Sequence, residues 1–230
     1  MSLAGLALSA LLFVCTLVLY EASRLAQRKT RLVILNPLLV TFLVMGLSLR
    51  LAHIDMTIYQ GATRPLSLLI GPSVVALAVP LDARIPELRQ RLRAVAISLF
   101  AGAFTGVISV MVIARVLGAP RVVILSLAPK SATTAMAVPV AERLGALPSL
   151  TAVVVVLVGV LGALIGPSLL RFLGVRDRYA FGLAMGAAAH VVGTARAREE
   201  GPVEEAASAA AMALHGLLTV VLATLLGRLL

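Results

Sequence analysis

Ser126-Leu127-Ala128-Pro129-Lys130-Ser131-Ala132-Thr133-Thr134-Ala135-Met136-Ala137-Val138-Pro139 is the stretch whose reading decides the fold. An apolar run from Val122 to Leu127 feeds into it, and a small-residue helical run ending near Arg143 leaves it. Between them stand Pro129, Lys130 and the hydroxyl residues Ser131, Thr133 and Thr134. Pro129 has no backbone N–H and disfavours helix at the residue before it, so the helix is expected to stop and restart, with Ser131 as its cap. A restarted helix turns bare N–H groups and the positive end of its dipole toward the gap, and Lys130 adds a full charge. Such a gap suits a small anion. Two placements fit these residues. In one the break lies at membrane depth, where a lysine costs about 3 kcal/mol unless it faces a partner, a ligand or water. In the other, Pro129-Lys130 is a loop at the membrane surface and Lys130 is solvated.

Composition supplies the membrane. Hydrophobic residues make up 60% of the 230 residues and charged residues only 13%, and the mean hydropathy is +1.06. Soluble domains carry about twice that charge. The apolar residues come in runs of about 20, the length of a bilayer-spanning helix, and the runs are continuous rather than alternating, which favours helices over a barrel. The net charge of +10 sits mostly on arginines in short connections. In this setting it points to the positive-inside rule and anionic lipid headgroups rather than to nucleic acid. The single cysteine, Cys15, has no partner for an intramolecular disulfide. The first run lacks a basic leader and a cleavage site, so it is expected to be a retained span.

The expected spans are Leu3–Tyr20, Leu32–Leu51, Leu66–Leu81, Val95–Leu117, the Pro129 segment, Leu150–Leu170, Phe181–Ala197 and Ala206–Leu226. Strongly basic connections carry Arg24, Arg28, Lys29 and Arg31, then Arg84, Arg89, Arg91 and Arg93. They lie two spans apart, so both can be cytoplasmic, which places the N-terminus outside. If the Pro129 segment crosses fully, the loop holding Arg171, Arg176 and Arg178 falls on the outer side. If it is re-entrant, that loop becomes cytoplasmic. The expectation is therefore an all-α, polytopic membrane protein of seven or eight transmembrane segments, two of them broken or re-entrant near mid-membrane. The pairs Gly102/Gly106 and Gly162/Gly166 read as close helix packing. Ala76–Leu81 faintly echoes Ala135–Val140, as internal repeats of transporters do.

A second unusual stretch is Gly182-Leu183-Ala184-Met185-Gly186-Ala187-Ala188-Ala189-His190-Val191-Val192-Gly193-Thr194-Ala195-Arg196. Small residues make it slim enough to sit among other helices. His190 and Thr194 share one helical face, and Gly193 could let the helix loosen. His190 could carry a proton or hydrogen-bond an anion, or be a packed histidine bonded to a backbone carbonyl. Arg196 could grip a carboxylate, lie against lipid phosphate, or pair with nearby acids such as Glu199 and Glu200. His215 reads as structural. No HExxH motif, paired cysteines, glycine-rich phosphate loop or triad spacing is present, so the expectation is a non-enzyme with no cofactor or metal.

These segments resemble the LrgB/CidB family of bacterial membrane proteins, the antiholin-like or murein-hydrolase-effector proteins. The likeness rests on Asn36-Pro37-Leu38-Leu39-Val40, Val74-Val75-Ala76-Leu77-Ala78 with Pro80-Leu81, and Pro129-Lys130-Ser131 with Thr133-Thr134. It continues through Gly159–Ala163, Gly182–Gly186, His190 and Gly193-Thr194-Ala195-Arg196, over essentially the whole chain as a single domain, residues 1–230. The family is linked to control of autolysis alongside a small LrgA/CidA-type holin-like partner. A plant relative resembles a chloroplast glycolate/glycerate translocator, and some bacterial members are linked to pyruvate or related acids. The resemblance thus implies a multi-pass protein of the bacterial inner membrane that carries small 2-hydroxy or 2-keto monocarboxylates. The alternative it implies is an antiholin-like regulator. The chain departs from the family pattern at Ala135, Ala187 and Ala189, where a proline and hydroxyl residues would stand. A carrier would use Lys130 and Arg196 to offset substrate charge. Ser131, Thr133, Thr134 and Thr194 would bond the substrate's oxygens, and His190 would couple a proton. A homo-oligomer is compatible with the small-residue motifs.

Overall fold

The computed structural model describes residues 3–30, 35, 37–69, 72, 75, 82 and 85–229. Among them every extended element is an α-helix and no strand occurs. They fall into two compact units, Met1–Ala76 and Leu77–Leu230. Four helices are long and apolar enough to cross a membrane: Gly5–Thr30, Leu92–Val116, Pro148–Phe172 and Pro202–Gly227. At 1.5 Å per residue each reaches about 38 Å, more than a hydrocarbon core of about 30 Å.

In the first unit, α1 (Leu3–Thr30) packs on α2 (Pro37–Leu51) and α3 (Met56–Leu68). Leu12, Met45, Leu49 and Ala62 form its core, and Thr16 meets the Tyr59 hydroxyl at 3.2 Å. α1 does not end at Tyr20 as the sequence suggests. Glu21 to Lys29 contains good helix formers and no breaker, and Glu21 pairs with Arg24 at 2.6 Å, so Arg24, Arg28 and Lys29 are helical rather than in a loop. The expected loop through Arg64 is likewise largely α3. Asp55 caps that helix, accepting the Thr57 N–H at 2.8 Å. Arg31, Asn36, Val74, Ala76–Leu81 and Arg84, and with them most of the third expected span and half of the internal echo, lie outside the described residues.

The second unit holds α4 (Ile85–Gln90), α5 (Leu92–Val116), α6 (Arg121–Leu127), α7 (Thr134–Arg143), α8 (Pro148–Phe172), α9 (Arg178–Arg198) and α10 (Pro202–Gly227). The break at Pro129 is present, but the helix restarts at Thr134 with Thr133, not Ser131, at its extended cap position. The 7 and 10 residues of α6 and α7 make only about 10 and 15 Å. Laid end to end, residues 121–144 would carry Arg121 and Leu144 more than 30 Å apart. Instead both lie at the C-terminal end of α10: Arg121 Nη2 is 3.5 Å from the Gly227 carbonyl, and Leu125 and Leu144 both flank Gly227. The segment therefore doubles back. Ser126 pins it, donating to Val122 O, accepting the Leu147 N–H at 2.9 Å, and offering its carbonyl to Thr151 Oγ1 at 2.9 Å.

α9 doubles back as well. His190 sits at φ 40°, ψ −127°, which no α-helix contains. Past it, Gly193 lies against the Met185 carbonyl, and Ala197 packs with Phe181 and Met185. A continuous helix would hold Ala197 and Phe181 about 24 Å apart. Phe181–Ala197 is thus a pair of limbs, 178–189 and 191–198, rather than a continuous helix. α8 runs antiparallel along the first limb, with Gly159, Gly162 and Gly166 under His190, Ala189 and Met185. Glu204 and Glu205, expected in a connection, occupy the first turn of α10, where the helix dipole favours acids.

Candidate functional site

The two chain reversals meet on one residue. Val155, about a third of the way along α8, packs its side chain with Ala132 and Ala137 of the first reversal, and its carbonyl lies 3.0 Å from His190 Nε2 of the second. A carbonyl only accepts, so Nε2 carries the proton. Each reversal is shaped by an absent side chain. Gly106 of α5 leaves its bare face to Ser131 Oγ, 3.6 Å from where a methyl would stand, and Gly159 of α8 leaves room for the His190 ring. The glycine pairs do provide close packing, and what they admit is the turn of each hairpin.

At the first reversal, Pro129 is fully buried, Ser131 is 8% exposed and Lys130 is half-buried. Lys130 Nζ donates to Ser131 Oγ at 3.3 Å, and no acidic group among the described residues acts on it. The cation is held by a hydroxyl alone, which leaves its remaining donors for a ligand or water. Thr133 is half-buried and makes no side-chain cap bond, and Thr134 is exposed, so these two line the outer edge of the turn.

At the second reversal the expected residues separate. His190 is 4% exposed and bonded to Val155 O, the packed arrangement that its sequence context also allowed. Thr194 donates to the His190 carbonyl at 3.0 Å and meets Ser208 Oγ at 2.9 Å, tying the second limb to α10. Arg196 lies beyond, at the end of the hairpin, paired with Glu200 at 2.8 Å and Glu199 at 3.3 Å, while Arg171 reaches the same Glu200 oxygen at 2.6 Å. The first reversal, through Ala132 and Ala137, and His190 of the second therefore meet at Val155, while Arg196 belongs to an ion-pair network at one end of the unit. Arg178 and Glu204 join there at 2.6 Å.

His215 is the residue the sequence reading passes over. It lies midway along α10, is 2% exposed, and lies against the backbones of Gly102 and Ser131, close enough to the Lys130 ammonium to feel its charge. Its signal was a histidine in the middle of an apolar helix, four residues before Thr219. Its neighbours come from α5 and the first reversal, far away in sequence.

A cleft of about 450 Å³ opens between α5 and α9. At its mouth Arg91 Nη1 bonds Asp177 Oδ2 at 2.8 Å and the guanidinium lies 5.0 Å over the Tyr179 ring. The Ala180 N–H, then the Arg91 guanidinium, hold the Asp177 carboxyl below the ordinary carboxylate range. The cleft runs past Ser98 and Leu183 to Gly102. Among the described residues no cluster of His, Cys, Asp and Glu could hold a metal ion.

Residues 16–229 match the LrgB-like family. The chain is similar to YwbG of Bacillus subtilis strain 168, with 34% identity over 91% of this chain and 92% of that protein. It is similar to YxaC of the same strain, with 31% identity over 90% of each. It is also similar to the antiholin-like protein LrgB of Bacillus cereus strain B4264, with 30% identity over 81% of each. No solved structure matches it. The match runs through both units, over both reversals, the latter half of the first long apolar helix and the whole of the other three, and the chain is a membrane protein that belongs to the LrgB-like family.

Proposed function

We propose that this chain is a carrier of small 2-hydroxy or 2-keto monocarboxylates, of the glycolate, glycerate, lactate or pyruvate class, in the bacterial cytoplasmic membrane. One observation carries the reading: Lys130 is half-buried at a chain reversal, bonded to a Ser131 that lies against Gly106 near the middle of α5, with no acid among the described residues to neutralise it. At membrane depth such a lysine is unfavourable by about 3 kcal/mol unless an anion or water answers it. Irregular backbone is tolerated there only inside protein or along a cavity, and carriers place ions and substrates at such breaks.

The reading comes with an arrangement in the membrane. α5, α8 and α10 cross, the first hairpin re-enters from one face, and α9 re-enters from the other. This puts Arg89, Arg91, Arg93, Arg171, Arg176, Arg178, Arg196 and Arg198 on one side, as the positive-inside rule favours. The 2.8 Å Arg91–Asp177 pair is consistent with this grouping. Lys130 and Ser131 take the carboxylate, and Thr133 and Thr134 face the rest of the substrate. Proton coupling is assigned to Nδ1 of His190, the ring nitrogen that the Val155 carbonyl leaves free. Arg196 and Thr194 support the second hairpin.

The test is counterflow in proteoliposomes loaded with unlabelled glycolate and given labelled glycolate, pyruvate, lactate or glycerate. Wild type is expected to accumulate at least one acid, and Lys130→Met is expected to reduce that at least tenfold with the protein still folded. Wild-type counterflow by Lys130→Met would remove the site. The names of relatives favour a second reading, an antiholin-like regulator acting with an LrgA/CidA-type membrane subunit. That role predicts co-purification with such a subunit and lysis control that survives Lys130→Met.

A further inference from the structure

His215 has no part in the assignments above, yet its ring lies under Gly102, one turn of α5 from the Gly106 that covers Ser131, the hydroxyl bonded to Lys130. His190 is committed: its Nε2 makes a 3.0 Å bond to Val155 O, and Gly159 lies flat beneath the ring. His215 is bonded less well. Its Nδ1 is 3.4 Å from Thr219 Oγ1, well beyond the usual 2.7–3.0 Å or so. The ring also interacts with the backbones of Gly102 and Ser131, close enough to the Lys130 ammonium to feel its charge. A methyl on Gly102 would stand 3.6 Å from Nε2, so only a bare helix face covers the ring there. Gly106, one turn on, leaves the same opening over Ser131 Oγ at 3.6 Å. The glycine pair of α5 thus covers a polar cluster contributed by two elements: Lys130 and Ser131 from the first reversal and His215 from α10.

Gly102 is also the inner limit of the 450 Å³ cleft between α5 and α9. The cleft's mouth carries the Arg91–Asp177 ion pair, and Ser98 lines the way from it toward Gly102. The cluster therefore combines a cation with no acid beside it among the described residues, a buried hydroxyl and a buried imidazole, under a helix face whose Gly102 also lines the cleft.

We propose that His215 donates a hydrogen bond to the carboxylate held by Lys130, completing the anion site from the α10 side, with the α5–α9 cleft as the approach. This inference rests on the carrier reading. Lys130 supplies charge, and His215 fixes which way the carboxylate lies by offering a second, directional donor. Loss of a hydrogen bond to a charged group corresponds to about 10- to 100-fold in affinity.

The experiment measures labelled pyruvate binding to purified full-length protein, wild type against His215→Leu, His215→Gln and Lys130→Met, with melting temperature as the folding control. His215→Leu is expected to raise the pyruvate Kd at least tenfold, and His215→Gln, which keeps an N–H nearby, to recover most of it. A second readout does not depend on any variant's stability at the site. In ¹⁵N-histidine-labelled wild type, pyruvate is expected to shift the His215 ring nitrogens more than those of His190 or His53. Folded His215→Leu binding pyruvate like wild type, or unmoved His215 resonances at saturation, would overturn the proposal. If Lys130→Met still abolishes binding in that case, the carrier reading survives. Wild type that neither binds nor exchanges any of the four acids removes the carrier reading and this inference with it.

Discussion

A methyl group added to Gly193 would overlap the Met185 carbonyl, and one added to Gly186 would overlap the backbone of Ser208. Backbone cannot swing aside as a side chain can, so Gly186→Ala and Gly193→Ala are expected to destabilise by about 1–3 kcal/mol each, read as a lower melting temperature. Gly61 is the contrast. It lies inside α3 with nothing within 4 Å of an added methyl, and Gly61→Ala should leave stability unchanged or raise it by up to about 1 kcal/mol. His190 holds two opposed contributions. Its φ of 40° is strained for a residue with a Cβ, and its ring bond to Val155 stabilises the turn. His190→Gly loses the bond but relaxes the backbone, whereas His190→Ala loses the bond and keeps the strain. The expected order of melting temperatures is wild type, then Gly, then Ala. Asp177 adds a pH dependence outside the membrane. Its carboxyl is held below the ordinary range by the Ala180 N–H and Arg91, so the native state favours its charged form. That stability is fully present above the ordinary carboxylate pKa and is lost as pH falls through the lowered native value. Thermal melts at pH 7 and pH 3 should show a smaller acid-induced loss in Asp177→Asn than in wild type.

At the scale of elements, both breaks were expected, but only the first is marked by its local chemistry. Pro129 removes a donor that the helix needs, and Lys130 and three nearby hydroxyls mark the same place, so local chemistry announces the break. The restart was misplaced because Ser131 and Thr133 are both good caps by type. The structure uses Thr133, while Ser131 turns toward Lys130. Around His190 the local sequence is Ala-Ala-Ala-His-Val-Val, with nothing to stop a helix. There the turn is set by partners from elsewhere: the Val155 carbonyl, the bare faces of Gly159 and Gly162, and the Ser208 hydroxyl bonded to Thr194. The glycines were visible in the sequence as a sign of close approach. Which surfaces they approach is long-range information, and so is the meeting of His215 with Lys130. The end of α1 was missed for a simpler reason: Arg24, Arg28 and Lys29 are as good helix formers as loop residues, and charge alone does not end a helix.

At the scale of the second unit, one pattern occurs twice. A long apolar helix, α5, is followed by a hairpin whose turn sits under its Gly106. A second, α8, is followed by the α9 hairpin, whose turn sits under its Gly159. α10 runs past both, touching Ser131's backbone through His215 and Thr194 through Ser208. In a bilayer, consecutive crossings run in opposite directions, so the two hairpins would enter from opposite faces and bring their turns to the shared depth of Val155. Inverted units of this kind place binding sites at mid-membrane in carriers. The Lys130 site, the counterflow it predicts and the role of His215 all rest on this arrangement. The most direct measurement is the sidedness of hairpin ends in a Cys15→Ser background. Single cysteines at Ala119, Ala146, Arg176 and Glu199 would be labelled by a membrane-impermeant thiol reagent in intact cells and in inverted vesicles. The account predicts that 119 and 146 react from one side, and 176 and 199 from the other. Reaction of 119 and 146 from opposite sides would mean that the Pro129 segment crosses the membrane, and would contradict it.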